Sequence, residues 1–159
     1  MNEELGIDGR VNSKLTSPLK AASYEYVEGP RVLEVWRDVL PLIEKAAVHG
    51  RGEYQPEDVL VAIHEGRMQL WLFREEGKLA LVCVTEIISF PRKTVCFINA
   101  LAGYRMLEMW DLFFPVAEVW LAQLGVSRVM TECRDEVAAK TERLGFRKLA
   151  NVMAIDLED

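Results

Sequence analysis

An α+β fold, with a mixed but mostly antiparallel central sheet flanked by about four helices, is what the order of periodicities along this chain predicts. Two segments with helical spacing come first, three strand-like runs joined by short turns follow, and a long apolar helix, a strand, a short helix and a last strand-like run close the chain. Hairpins early and a strand–helix–strand crossover late put the strands into one sheet and leave helices to cover it.

The elements justify themselves in order. Residues 1–30 contain Gly6, Gly9, Pro18, Gly29 and Pro30 among mixed charges, with no sustained helical or alternating period. Such a stretch buries too little apolar area to offset its ordering entropy, so it reads as an extended arm ahead of a domain spanning 31–159. Leu15, Leu19, Tyr24 and Tyr26 are its candidate anchors, and the arm is ordered only where its own domain or a neighbouring chain holds it. From Arg31, Val32, Val35, Trp36, Val39 and Ile43 recur at helical spacing to about Ala47, with Pro41 expected to interrupt the helix. A second helix opens on Pro56-Glu57-Asp58, proline suiting the first turn and the acids the helix dipole, and ends near Gly66.

Met68–Phe73 and Leu79–Ile88 read as a hairpin turned by Glu75-Glu76-Gly77-Lys78, and Thr94–Ala100 as a third strand. Between Met106 and Leu124 one stripe runs through Leu107, Trp110, Phe114 and Leu121. A second runs through Met109, Phe113, Val116 and Trp120. Only a narrow face through Glu108, Asp111, Glu118 and Ala122 is left for water, so core packing is expected of this helix, with a bend at Pro115. Arg128–Cys133 reads as a strand, Glu136–Leu144 as a helix, and Arg147–Leu157 as the last strand.

Composition narrows the function classes. The chain has 159 residues, of which 50% are hydrophobic and 28% charged, the profile of one globular domain. A net charge of −6 and the lack of any useful Lys/Arg cluster exclude a nucleic-acid reader, which needs a basic surface. Cys83, Cys96 and Cys133 are odd in number, fall in apolar runs and form no Cys-x-x-Cys or Cys/His array. They read as buried apolar residues, with neither a disulfide framework nor a metal site expected. His49 and His64 stand beside no Ser or Cys nucleophile in a triad pattern. No signal peptide opens the sequence, and no run approaches the ~18 apolar residues of a membrane span.

The most informative stretch is Ala138-Ala139-Lys140-Thr141-Glu142-Arg143-Leu144-Gly145-Phe146-Arg147, following a strand and a short helix. It resembles the closing segment of the GCN5-related N-acetyltransferase (GNAT) fold, in which a Leu-Gly-Phe turn leads into the final strand. The resemblance covers roughly residues 31–159. Pro-Leu-Ile-Glu-Lys-Ala-Ala at 41–47, Gln55–Val59 and Glu65–Trp71 also resemble compact acetyltransferase-like proteins of tailed bacteriophages.

What the family resemblance implies is an acetyl-CoA site. Its diphosphate loop usually reads Gln/Arg-x-x-Gly-x-Gly/Ala ahead of the long helix, where bare amides and the dipole hold phosphate. The equivalent stretch is Ala100-Leu101-Ala102-Gly103-Tyr104-Arg105, which makes Ala102, Gly103, Tyr104 and Arg105 the cofactor-binding candidates. Of the signature positions only Gly103 matches, and Arg105 stands where a small residue lets backbone approach phosphate; the bland alternative is that Gly103 only permits the strand-to-helix turn. Many relatives carry a tyrosine four residues before the Gly of Leu-Gly-Phe to protonate the leaving thiolate. Thr141 is here instead, with a shorter and far less acidic hydroxyl. Glu86 and Glu132, with Asp135 behind them, are the candidate bases for deprotonating an amine, against the plainer reading of surface carboxylates.

Two functions follow from the resemblance. One is a non-catalytic GNAT-fold component of a phage virion or tail assembly, with no cofactor. It would dock on other protein chains, phage structural proteins among them, through residues 1–30, in the host cytoplasm or the assembled virion. The other is an N-acetyltransferase moving acetyl from acetyl-CoA to an amine. The altered loop, Thr141 and the over-apolar long helix lean toward the first.

Overall fold

A computed structural model describes residues 17–48 and 51–157. In chain order they form β1 (Ala22–Val27), a 3-10 turn (Gly29–Arg31), α1 (Val32–Val48), α2 (Pro56–His64), β2 (Gln69–Glu75), β3 (Lys78–Phe90), β4 (Lys93–Gly103), α3 (Met106–Gln123), β5 (Val126–Thr131) and α4 (Asp135–Arg143). The five strands make one sheet in the order β1-β2-β3-β4-β5. The first three pairings are antiparallel and the last, β4 with β5, is parallel, reached by the α3 crossover. This is the expected mixed sheet with four helices.

Local chemistry explains the joints. The β2–β3 hairpin turns on two residues, Glu76 (φ 51°) and Gly77 (φ 80°); both take positive φ, the backbone twist that matches a right-handed two-strand ribbon. α2 starts with Pro56 in its first turn and a reciprocal capping box between Gln55 and Asp58, whose carboxylate accepts the Gln55 amide at 2.7 Å. One face of the sheet buries Leu70, Leu72, Val82 and Val84 against Val39 and Ile43 of α1 and Ile63 of α2, all at 2% exposure or less. The other face is covered by α3.

Several expectations need correction. β1 falls inside the stretch expected to be an arm: Val27 is 1% exposed, and Glu25 pairs with Arg74 of β2 at 2.8 Å. Its alternation is faint in sequence because an edge strand exposes most of its side chains, Tyr24 and Tyr26 included. Residues 1–16 of the arm lie outside the described residues. α1 runs through Pro41 without a break, losing one internal hydrogen bond but keeping its apolar stripe on the sheet. α3 also continues past Pro115, but it is less buried than its two stripes suggest. Only Met109 and Leu121 are buried, while Leu112, Val116 and Val119 face water at 42–60% exposure. Bulky rings fill the space beneath it: Trp71 meets Trp120 edge-on at 4.9 Å and Tyr24 meets Phe113 at 5.2 Å, leaving an apolar cavity of about 90 Å³.

Cys133 is exposed, just beyond the end of β5, whereas Cys96 is buried and Cys83 lines the cavity under α3. The last strand does not form. Residues 147–157 are irregular, with Met153, Ile155 and Leu157 at 87–94% exposure. A groove lies between β5 and the chain after α4, and residues 147–157 make no ladder with β5.

Candidate functional site

The sheet opens at one point. β4 continues to Gly103, yet its pairing with β5 ends at Ile98–Thr131, where the Thr131 hydroxyl donates to the Ile98 carbonyl at 3.1 Å. β5 itself ends at that rung, so β4 runs on to Gly103 without a β5 partner. The β3–β4 register shifts at the same place: Val84 pairs with Ala100 and Thr85 with Ile98, so Asn99 is a bulged residue without a partner of its own. A bulge ends pairing and re-aims side chains, and it is common beside active sites.

Polar groups converge on this bulge. Tyr54, from the α1–α2 loop, donates its hydroxyl to the Asn99 carbonyl at 3.1 Å. The Asn99 amide donates to Glu86 of β3 at 3.2 Å. Arg51 is held between Glu53 and Glu132, directly after β5. Burial pushes the Tyr54 phenol above its ordinary value, with Glu53, Glu132 and Glu86 adding to the rise and Arg51 opposing it. Glu86 and Glu132, picked out separately in the sequence, thus both lie within electrostatic reach of one hydroxyl. Glu86 is the one without a cation on it among the described ion pairs; Glu132 is engaged by Arg51. Asp135 lies in the first turn of α4.

The α3 end of the opening is arranged differently. Gly103, at φ +133°, lies tight against β3: a Cβ there would sit 2.1 Å from the Ala80 carbonyl oxygen. Ala102 is buried on the α1 side, and the Tyr104 amide is spent on the Ala80 carbonyl at 2.9 Å. The exposed Tyr104 side chain donates to the Leu79 carbonyl at 3.2 Å. Arg105 caps α3 in a left-handed conformation (φ 65°, ψ 27°). Its guanidinium donates to the Ser17 carbonyl at 2.7 Å and the Ser17 hydroxyl at 3.2 Å, and lies 3.7 Å from Glu75 and 3.8 Å from Glu108. Its Nε is buried with no hydrogen-bond partner. Glu75 also accepts the Lys20 amide at 2.9 Å, so residues 17–20 lie on this corner.

Thr141, on α4, donates its hydroxyl to the Val137 carbonyl of its own helix at 2.9 Å, which commits its proton locally. Among the described residues no group of three or more His, Cys, Asp or Glu side chains is placed to hold a metal, and no helix is long and apolar enough to cross a membrane. Sequence reasoning passed over Tyr54, Asn99 and Arg51. Asn99 had a usable signal, a lone amide inside the apolar run Phe97-Ile98-Asn99-Ala100-Leu101. Tyr54 and Arg51 had none, since a loop leaves no periodicity to read.

No family model and no curated protein matches the chain. Solved structures do. An aminoglycoside acetyltransferase from an uncultured soil metagenomic sample, in complex with sisomicin, superposes with a TM-score of 0.64 at 13% identity, covering 86% of this chain and 97% of that one. The ribosomal-protein-alanine N-acetyltransferase of Brucella melitensis biovar Abortus 2308 gives 0.62 at 10% identity over 87% and 99%. A GCN5-related N-acetyltransferase from Ralstonia eutropha JMP134 gives 0.62 at 13% identity over 87% and 100%. With its mixed five-strand sheet, the bulge at Asn99 and the helical crossover between the parallel β4 and β5, this chain has the fold of the GCN5-related N-acetyltransferases.

Proposed function

We propose that the chain is a GNAT-fold module that works through contacts with other proteins and does not take up acetyl-CoA. The observation that carries this is Arg105. A side chain in the left-handed cap position is folded onto Ser17, Glu75 and Glu108, so one guanidinium is shared between two carboxylates where the fold would seat a diphosphate. The corner is left with a net charge of about −1. A phosphate charge about 5 Å from a surplus carboxylate is opposed by roughly 3 kcal/mol at an effective dielectric constant near 20. Gly103 and Tyr104, which would offer amides to phosphate, are packed on and bonded to Ala80 instead.

The docking element is the part of the arm before Ser17, since Ser17 and Lys20 already engage the domain and β1 belongs to the sheet. A virion or tail assembly is the setting that fits the phrase-level resemblance. The test is calorimetric. Acetyl-CoA titrated into the protein gives no heat of binding up to about 1 mM, and a Kd tighter than about 100 μM, roughly −5.5 kcal/mol, overturns the reading.

A second reading is favoured by the bulge at Asn99. An amine entering beside Glu86, where β4 runs on past the end of β5, would lose a proton to that carboxylate and attack a thioester carbonyl, forming the amide and releasing the thiolate. Release of free thiol from acetyl-CoA with an amine present is its signature. In that case Glu86→Gln would lower kcat by about 10²–10⁴.

A further inference from the structure

We propose that the cavity between α3 and the sheet is a binding site for a compact apolar molecule, up to the size of a benzene ring. Its floor is set by the strands. The register shift at Asn99 moves the alternation of β4 by one residue, so Ile98 and Leu101, three apart, both line the cavity, while Ala100 and Ala102 pack on the α1 side. Cys83 of β3 and Trp71 of β2 extend the floor, and Met109 and Phe113 of α3 belong to the roof. Flat rings that meet edge-on leave gaps which no neighbour fills: Trp71 meets Trp120 at an interplanar angle of 74°, and Tyr24 meets Phe113 at 61°. Protein interiors hold few voids larger than a water molecule. This one, at about 90 Å³, has the room of about three waters.

Size and lining indicate the occupant. A buried water needs about two to four polar partners, and this lining is aliphatic, aromatic, thioether and thiol apart from the Tyr24 hydroxyl and the indole N–H groups. Apolar cavities of this kind stay dry, and one of about 150 Å³ takes up benzene or xenon. The smaller space here holds xenon outright. It accommodates a six-carbon ring with a slight outward shift of α3, whose far face is open to water at Leu112, Val116 and Val119. A polar molecule or a peptide backbone would bring in groups that the lining cannot pair. The way in runs between β1 and α3, because Tyr24 and Val116 both line the cavity and stand 43% and 42% exposed. This inference does not depend on whether acetyl-CoA binds, since Arg105, Glu75 and Glu108 are not part of the lining.

Benzene and xenon are the probes, followed on the full chain by methyl NMR. Both should shift the Met109 and Leu121 methyl signals saturably, benzene with a Kd of about 1 mM or tighter. Phenol, the same ring with a hydroxyl to satisfy, should bind at least about tenfold more weakly. Two substitutions change the volume in opposite directions. Ala117 lines the cavity, so Ala117→Leu puts three more carbons into it and should abolish the response to both probes, with Tm at or above that of the wild type. Cys83→Ala vacates the sulfur position and should tighten benzene binding roughly fourfold, the worth of one CH₂-sized space. The second variant decides the matter should the first fail to fold. No saturable shift with either probe, phenol binding as tightly as benzene, or benzene affinity unmoved by Cys83→Ala would each overturn the proposal.

Discussion

Gly103 offers the sharpest test of how the corner before α3 is built. If its place is fixed by the approach of β4 to β3, any side chain there is costly whether or not a nucleotide ever binds. A Cβ would lie 2.1 Å from the Ala80 oxygen, 2.8 Å from the Leu81 Cα and 3.0 Å from the Ala80 carbonyl carbon, all backbone atoms that cannot swing aside. The conformation adds strain of about 1–3 kcal/mol for an L-residue, and overpacking adds a similar amount. Taking about 3 kcal/mol for Gly103→Ala, thermal denaturation followed by circular dichroism should show Tm lowered by roughly 6–12 °C for a domain of this size. The control is Gly77→Ala. Gly77 also has positive φ, +80°, but open space around the added carbon, so it reports strain alone at about 1 kcal/mol. If Gly103→Ala melts with Gly77→Ala or above it, the contact with Ala80 is not what holds the glycine, and an opening kept clear for a ligand becomes the better account.

Other expectations are quicker to state. Tyr54→Phe removes the hydrogen bond to the Asn99 carbonyl and should cost about 1 kcal/mol, a fall in Tm of roughly 2–4 °C; no change would mean that the loop does not brace the bulge. Of the three thiols, only exposed Cys133 should react with a disulfide reagent at pH 8 in the folded state, and rapid labelling of two or three would contradict the packing under α3. Burial pushes the Cys83 and Cys96 thiols from an ordinary 9.0 up to about 12 and about 11. Above pH 9 the unfolded chain therefore gives up protons that the folded chain keeps, and the urea midpoint should fall from pH 9 toward pH 11. The fall should be shallower in Cys83→Val.

The sheet and its helices were legible because they rest on period and punctuation. Glu76-Gly77 announces a two-residue hairpin, Pro56-Glu57-Asp58 a helix start, and Leu-Gly-Phe at 144–146 the end of α4. Failures cluster where one residue obeys two demands. Pro41 suggests a break, but α1 tolerates one missing hydrogen bond for the sake of the apolar face that buries Val39 and Ile43. The tail from Arg147 has a strand's alternation, but alternation names a face that wants cover and not the chain that supplies it. At the site, Glu86 and Glu132 were found as carboxylates near strand ends. The bulge that relates them was not, because a register shift between β3 and β4 is a property of the pair of strands.

Charge distribution along the opening bears on what it can accept. At the α3 end, Glu75 and Glu108 share Arg105; at the bulge, Glu53 and Glu132 share Arg51, and Glu86 stands beside them on the Asn99 amide. Both arginines are thus committed to carboxylates of the same chain, and the carboxylates outnumber them by three. An ammonium group approaching Glu86 would find an unpaired acceptor, whereas a diphosphate at Arg105 would first have to displace Glu75, Glu108 and the Ser17 carbonyl. On the reading proposed above, the end at Glu86 keeps a carboxylate with no cation on it, and the end at Arg105 has its cation taken by carboxylates of the same chain. Replacing Glu75 and Glu108 together, by Glu75→Gln and Glu108→Gln, tests this: Arg105 loses both of its carboxylates, and calorimetry is expected to show acetyl-CoA binding that the wild type is expected to lack. Silence from that variant, with the fold intact, would mean that the left-handed cap itself closes the site.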